Sequence, residues 1–179
     1  MEWIWILLAA VLAYGIGSIS TAILVGKLLA GEDIRSHGSG NAGATNALRT
    51  YGKKAALLVL LGDVLKTVVA IEIAYLIRSL VKLDDALWAP MLYLATLGAV
   101  LGHNFPLYFQ FRGGKGVLVS SVAILFTDWR IGLLVIAIAL LVMVAWRYVS
   151  LGSVLGALSY VVLALLFHWG DWLLLLHAV

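Results

Sequence analysis

The sequence predicts an all-α membrane protein, a polytopic transmembrane helix bundle with six spans and a partial seventh. Its 179 residues are 64% hydrophobic and only 12% charged, whereas a soluble domain carries about a quarter charged residues. Apolar segments of helix length alternate with short polar loops, and no polar stretch is long enough to build a separate soluble core. We therefore expect one integral membrane domain over residues 1–179.

The apolar segments define the expected spans. A helix needs about 20 apolar residues to cross the hydrocarbon core, with about 17 as the practical minimum. The fourth segment is short and needs extension to about Trp129 or a re-entrant arrangement, and residues 172–176 form only a fragment. Because Glu2 is the only early charge, the first segment is interpreted as a retained span and not as a signal peptide. The expected spans are residues 3–28, 55–77, 86–101, 117–129, 131–146 and 151–167.

Basic residues are concentrated in alternate loops. The loops after the second and fourth spans hold only Arg78, Lys82 and Arg130. The positive-inside rule places the richer loops in the cytoplasm and the N-terminus outside. The net charge of +3 is small, so its distribution indicates orientation and not binding to nucleic acid. The residues of the richer loops are Lys27, Arg35, Arg49, Lys53, Lys54, Arg112, Lys115 and Arg147.

Composition and motifs exclude several kinds of chemistry. The sequence has no cysteine, which excludes disulfides, thiolate metal sites and a cysteine nucleophile. It also lacks an HExxH motif and any cluster of histidines and carboxylates typical of a metal site, so we expect no metal and no cofactor. No internal repeat is evident, which argues against a transporter built from inverted repeats. His168 and His177 are isolated in the sequence, and we expect them to be incidental.

The first glycine loop, residues 35–49, combines backbone freedom with polar side chains. Gly38, Gly40 and Gly43 allow tight turns and close approach of a ligand. If a helix begins near Ala44, Arg49 lies one turn along it and can point back at the loop. Such a loop can bind a phosphate, although the same residue types also form ordinary turns. The neutral hydrogen-bonding side chains are Ser39, Asn41, Thr45 and Asn46.

The second glycine loop, residues 102–116, is a sharper candidate for an anion site. Its end, Gly113-Gly-Lys-Gly116, directly precedes an apolar helix expected to begin near Val117. Free N–H groups at a helix N-terminus attract anions, and Lys115 adds a formal charge for a phosphate or a developing oxyanion. The spacing is not that of a Walker A motif. His103 and Asn104 end the preceding span, where His103 has two interpretations: a helix-capping residue or a proton-transfer group.

Two further polar features have alternative interpretations. Arg147 and Ser150 lie at the expected start of the last full span, where a serine either caps the helix or contributes a hydroxyl to a ligand site. Asp63 and Lys66 lie one helical turn apart inside the second span. We expect them to neutralise each other in the bundle interior, with a proton or ion pathway as the alternative.

Three segments of the sequence resemble the cytoplasmic motifs of the bacterial acyl-phosphate-dependent glycerol-3-phosphate acyltransferases. They are Gly38-Ser-Gly-Asn-Ala-Gly-Ala-Thr-Asn46 with Arg49, Gly102-His-Asn-Phe-Pro106 with Phe111-Arg-Gly-Gly-Lys-Gly-Val117, and Arg147-Tyr-Val-Ser-Leu-Gly-Ser153. The resemblance implies an enzyme of the bacterial inner membrane whose site faces the cytoplasm. It implies transfer of a fatty acyl group from acyl phosphate to the 1-hydroxyl of glycerol 3-phosphate, giving lysophosphatidic acid and phosphate without a metal or an acyl-enzyme.

The resemblance also assigns roles to residues. Lys115, Ser150 and His103 are the implied catalytic residues, and either His103 or the phosphate of the donor takes the proton of the hydroxyl. Which loop binds which phosphate is open. The residues implied to bind the substrates and their phosphates are Ser39, Gly40, Asn41, Thr45, Asn46, Arg49, Asn104, Gly113, Gly114, Gly116 and Arg147.

The C-terminal region departs from the family pattern. The family resemblance implies seven spans and a cytoplasmic tail of the form His-Arg-x-Asn-Ile, whereas this sequence ends at Leu176-His-Ala-Val179. An inactive, truncated family member is therefore one alternative, and a membrane transporter or binding protein for an organic phosphate is the other. As partners we expect acyl phosphate, glycerol 3-phosphate and membrane lipid, no nucleic acid, and a monomeric chain.

Overall fold

The computed structural model describes residues 2–178, and in this range the chain is helical with no β-strand. Short 3-10 turns at residues 34–36, 85–87 and 107–109 lie in the loops. The prediction of an all-helical membrane bundle is confirmed as far as the class of fold is concerned. The helices are α1 (Trp3–Gly17), α2 (Thr21–Ala30), α3 (Ala44–Tyr51), α4 (Lys53–Val81), α5 (Trp88–Asn104), α6 (Val117–Thr127), α7 (Trp129–Trp146), α8 (Val149–Phe167) and α9 (Trp172–Ala178).

The first expected span is broken into two helices. The sequence predicts one continuous span over residues 3–28, but α1 ends at Gly17 and α2 begins at Thr21. Ser18 donates its hydroxyl to the Tyr14 carbonyl at 2.8 Å, and Ser20 adopts an extended backbone before α2. Serine competes in this way with the helical backbone. The break frees the carbonyl of Ile19 for a partner outside the helix.

Helices α1 and α5 pack through glycines. A Cβ at Gly17 would meet the backbone of Ala99, and a Cβ at Gly102 would meet the backbone of Tyr14 and Ser18. Small residues let membrane helices approach closely enough for dispersion contacts along their backbones. This close contact fixes the end of α5, from which the second glycine loop starts.

Helix α4 is the central element of the bundle. Its 29 residues contact α1, α2, α3, α5 and α6. Its inward face is built of small or polar residues, including Ala70 and Ala74, which pack with Ile6 and Met91 in one apolar cluster. Asp63 and Lys66 lie on this face, both buried, as the sequence predicts.

The outer surface of the bundle is apolar. Within residues 2–178, four helical segments are long and apolar enough to cross a membrane: Trp3–Ala30, Asp85–Phe109, Trp129–Trp146 and Val149–Phe167. Helix α4 is long enough but carries more charge, and α6 has only 11 residues. Exposed leucines and valines along α7 and α8 present a surface suited to lipid.

Two histidines expected to be incidental instead connect helices. His177 lies 3.0 Å from the Thr96 hydroxyl and 2.8 Å from the Tyr160 hydroxyl, so it joins α9 to α5 and α8. His168 lies 2.7 Å from a carboxylate oxygen of Asp128, which joins the end of α8 to the start of α7. The two histidines are therefore not incidental to the packing of the helices. The sequence does not indicate these contacts, because the partners lie far away along the chain.

Candidate active site

The two glycine loops meet at one end of the bundle, and Arg35 joins them. Its guanidinium donates to the carbonyl of Phe109 at 2.7 Å and to the carbonyl of Arg112 at 3.0 Å. On its other side the same group forms a bidentate pair with Asp33. These bonds hold the start of the first loop against the middle of the second.

Asp33 keeps its charge through this contact. The hydrogen bond from the Arg35 side chain lowers the pKa of the Asp33 carboxyl below its ordinary value, and the charge of Arg35 acts in the same direction. From the sequence alone, Arg35 is only a basic loop residue. The signal for its role is the Asp33-Ile-Arg35 spacing, which lets one carboxylate orient a guanidinium at the mouth of a glycine-rich loop.

Asn46 forms the framework of the first loop. Its side-chain carbonyl accepts the Ser39 N–H at 3.0 Å, and its amide group donates to the carbonyls of His37 and Ile34 at 3.0 and 3.3 Å. The residue is only 1% exposed. Gly38, at φ +57°, passes directly over the amide. The predicted ligand-binding side chain of Asn46 is therefore occupied by the loop itself.

The other predicted residues of the first loop are accessible. Ser39, Gly40, Thr45 and Arg49 are exposed, and Asn41 is partly exposed. Helix α3 begins at Ala44 as predicted and carries Arg49 in its last turn. Together they form a polar surface with hydroxyl and amide groups, a cation and free N–H groups at a helix start, which suits an anionic ligand.

The second loop folds back onto the end of α5. The N–H groups of Gly113 and Gly114 donate to the carbonyls of Asn104 and His103, each at 3.1 Å. A Cβ at Gly114 would collide with the His103 ring and with the carbonyl of Ala42 in the first loop. A side chain at this position would therefore separate the two loops.

Lys115 and the start of α6 lie beside these glycines. Gly116 has φ +73° and lies against the Asn104 side chain, and α6 follows directly at Val117, as predicted. Lys115 is exposed, and within residues 2–178 its side chain has no ion-pair partner. A free ammonium next to the N–H groups of a helix start is an arrangement that binds phosphate.

A buried polar cluster lies directly behind the loops. Lys66 Nζ lies 3.0 Å from Asp63 Oδ1, 2.7 Å from the Ile19 carbonyl and 3.0 Å from His103 Nδ1. Thr21 donates its hydroxyl to the same Asp63 oxygen at 2.6 Å. His103 is 7% exposed. The cluster connects α2, α4 and α5 with the break after α1, and the predicted ion pair is part of it.

The third predicted segment stands apart from this assembly. Arg147, at φ +58°, and Ser150 are exposed at the junction of α7 and α8, and helix α8 contacts α7 and α9. The helix begins at Val149 with Tyr148 before it, so Ser150 is not its N-cap. In the described part of the chain neither side chain bonds to a glycine loop. The structure thus joins two of the three predicted segments.

The fold and these loops define a class of protein: an all-helical integral membrane protein with a polar, cation-bearing surface at one end of its bundle. Over residues 7–179 the sequence matches the family described as "Glycerol-3-phosphate acyltransferase". The chain belongs to this family.

Relatives and solved structures agree with this assignment. The chain is 48% identical to a glycerol-3-phosphate acyltransferase of Clostridioides difficile (strain 630), over 87% of this chain and 75% of the relative. It is 43% identical to a glycerol-3-phosphate acyltransferase of Synechococcus elongatus, over 88% of this chain and 75% of the relative. It resembles the crystal structure of PlsY, an integral membrane glycerol 3-phosphate acyltransferase, in its glycerol 3-phosphate form, with a TM-score of 0.81 and 32% identity over 97% of this chain and 82% of that one. The crystal structure of the lysophosphatidic acid form matches with a TM-score of 0.76 and 30% identity.

Proposed function

We propose that this protein transfers a fatty acyl group from acyl phosphate to the 1-hydroxyl of glycerol 3-phosphate, giving lysophosphatidic acid and phosphate. Family membership supports the acyltransferase activity. The observation that carries the assignment to this site is the junction of two glycine loops through Arg35, beside the free cations Lys115 and Arg49. Both substrates carry a phosphate, so a reaction between them needs two neighbouring anion sites.

The reaction requires positioning and charge neutralisation more than chemical activation. Acyl phosphate is already a reactive acyl donor. The hydroxyl oxygen attacks the acyl carbonyl, the resulting oxyanion collapses, and the bond to phosphate breaks. Lys115, the N–H group of Gly116 and those of the first turn of α6 are the proposed groups that stabilise the oxyanion and the departing phosphate. The N–H groups of Gly113 and Gly114 are bonded to the carbonyls of Asn104 and His103, so these two glycines shape the proposed site.

The remaining residues hold the second substrate and complete the site. Ser39, Gly40, Thr45 and Arg49, with Asn41, are the proposed ligands of one phosphate, while Asn46 and Asn104 support the loops. Arg147 and Ser150 are proposed to join them at the same membrane face. The proton of the hydroxyl goes either to the departing phosphate or to His103. No step requires a metal or a cofactor.

The proposed topology places this chemistry in the cytoplasm. Basic residues gather at the loop end of α4, at Lys53 and Lys54, and only Arg78 and Lys82 lie near its other end. The positive-inside rule then gives an external N-terminus, six spans with a partial seventh, and a monomeric enzyme of the bacterial inner membrane. The lipidic donor enters from the bilayer, against which the apolar outer helices lie.

The direct test is turnover by the purified chain in detergent or a lipidic phase. Acyl phosphate and glycerol 3-phosphate are added, and release of phosphate is followed together with formation of lysophosphatidate. We expect turnover that needs both substrates and is not supported by acyl-CoA. A chain that binds glycerol 3-phosphate but forms no product, alone or with a family-like C-terminal extension, would favour a binding protein and overturn the proposal.

A further inference from the structure

The buried cluster behind the loops constrains the tautomer of a histidine. A charged lysine in a membrane helix is costly unless all its N–H groups find acceptors. Lys66 has three such groups and three acceptors: Asp63 Oδ1 at 3.0 Å, the Ile19 carbonyl at 2.7 Å and His103 Nδ1 at 3.0 Å. The ammonium of Lys66 is therefore fully used, with one bond directed at the imidazole ring.

The direction of that bond selects the tautomer of His103. An ammonium group donates hydrogen bonds and cannot accept them, so Nδ1 of His103 is the acceptor. The Asp63 oxygen lies 3.6 Å from Nδ1, which is too long for a competing hydrogen bond. In the neutral ring the proton then resides on Nε2.

The Nε2 atom is directed at the second glycine loop. A Cβ at Gly114 would collide first with this atom, and next with the carbonyl of Ala42. Within residues 2–178 no protein group forms a hydrogen bond with Nε2. The N–H donor of the ring thus faces the junction of the two loops with its bonding capacity unused.

We propose that Lys66, held by Asp63, is a positioning residue that keeps His103 in the Nε2–H tautomer, so that the ring offers a hydrogen-bond donor to a substrate oxygen at the glycine loops. The proposal rests on the proposed acyltransferase function for the identity of that oxygen, a phosphate or carbonyl oxygen. Asp63 holds the ammonium of Lys66 in position through their ion pair, and the hydroxyl of Thr21 in turn orients Asp63. His103 then enters the reaction as a donor and not as a base.

The tautomer is measured directly by nitrogen NMR on protein with ¹⁵N-labelled histidine. The chain has four histidines, and His103→Gln identifies the signals of interest by their loss. We expect a protonated Nε2 and an unprotonated Nδ1 in the wild type. In the double variant Asp63→Asn, Lys66→Met, a neutral pair of similar size, we expect a mixture of tautomers. A wild-type ring protonated at Nδ1, or an unchanged ring in a folded double variant, would overturn the proposal.

A matched pair of substitutions tests the role in turnover. Gln at position 103 carries its amide near the place of Nε2 and keeps a donor for the loop, whereas Asn reaches only the place of Nδ1 and keeps the contact with Lys66. Removing one hydrogen-bond donor from a developing negative charge costs about 100- to 1000-fold in kcat. We expect His103→Gln to stay within about tenfold of the wild-type kcat and His103→Asn to lose about 100-fold, with smaller changes in KM. Equal losses, or a greater loss for Gln, would contradict the donor role.

The two measurements separate this inference from the proposed function. The NMR signals report the ring in the resting protein and need no turnover. An inactive chain with the Nε2–H tautomer would remove the acyltransferase proposal and leave the positioning by Lys66 intact. An active chain with the other tautomer would do the reverse.

Discussion

Gly114 is the residue at which the two loops and the buried cluster come together. A Cβ there would collide with the His103 ring and with the Ala42 carbonyl. We predict that Gly114→Ala folds but loses most of its turnover, because the loops must move apart to admit the methyl group. The measurement is kcat with the thermal midpoint Tm recorded alongside. Gly15→Ala is the control, since its Cβ meets nothing closer than the Tyr108 hydroxyl at 3.5 Å and alanine favours a helix.

Lys115 is the exposed cation of the second loop. We predict that Lys115→Ala loses about 2–4 kcal/mol of transition-state stabilisation, comparable to removing one oxyanion donor. The loss is expected in kcat at saturating substrate, with Tm unchanged because the side chain is exposed and has no ion-pair partner within residues 2–178. Lys54→Ala, another exposed lysine near the same membrane face, is the control. Full turnover by Lys115→Ala would remove this residue from the mechanism.

At the scale of elements, the contact between Asp33 and Arg35 makes the junction of the loops sensitive to acid. The pKa of Asp33 is lower in the folded chain than the unfolded value of about 3.8. Its contribution to stability is therefore complete above that value and is lost as the pH falls through the folded pKa. We predict that Asp33→Asn lowers Tm near pH 6 and that the difference from wild type persists down to about pH 4 and then shrinks as the pH falls further, through the folded pKa. A difference that stays constant over this range would show that the carboxylate charge is not involved.

The elements also show what the sequence could and could not reveal. The sequence indicates helix starts near Ala44 and near Val117, and α3 and α6 begin there, because glycine clusters before helix-forming segments are strong local signals. The break between α1 and α2 was missed, since Ser18 and Ser20 lie in an otherwise continuous apolar run. The interhelical bonds of His168 and His177 depend on residues brought near only by the fold, which no local pattern contains. The predicted pair of Asp63 and Lys66 is confirmed, because a helical turn is a local geometry.

At the scale of the whole molecule, the absence of cysteine from the sequence makes orientation easy to measure. Single cysteines are introduced at the two ends of α4, Lys54 and Lys82, and at the two ends of α7, Arg130 and Arg147. We predict that a membrane-impermeant maleimide labels Lys82→Cys and Arg130→Cys on intact cells, because the loops poor in basic residues lie outside. Lys54→Cys and Arg147→Cys should react only after permeabilisation. Labelling of all four positions from one side would refute the topology.

The sequence predicts the residues of the candidate site more fully than the contacts that bring them together. Glycine content, cations and spacing identified both loops, because anion binding demands these residue types. The roles of Arg35 and of the Asn46 amide were not predicted, since both depend on which backbone carbonyls come near. Arg147 and Ser150 were grouped with the loops by resemblance, and their part in the site remains a prediction that substitution and kinetics can test.

The buried cluster also has a consequence for the order of assembly. Asp63 and Lys66 form their bridge within one turn of one helix, so the two buried charges of α4 neutralise each other before its neighbours pack. The Ile19 acceptor is synthesised earlier and His103 later. The arrival of α5 thus completes the solvation of Lys66 and, in the same event, brings the second glycine loop to the first. The burial of the Lys66 charge and the contact between the two glycine loops are therefore completed in the same step of biosynthesis.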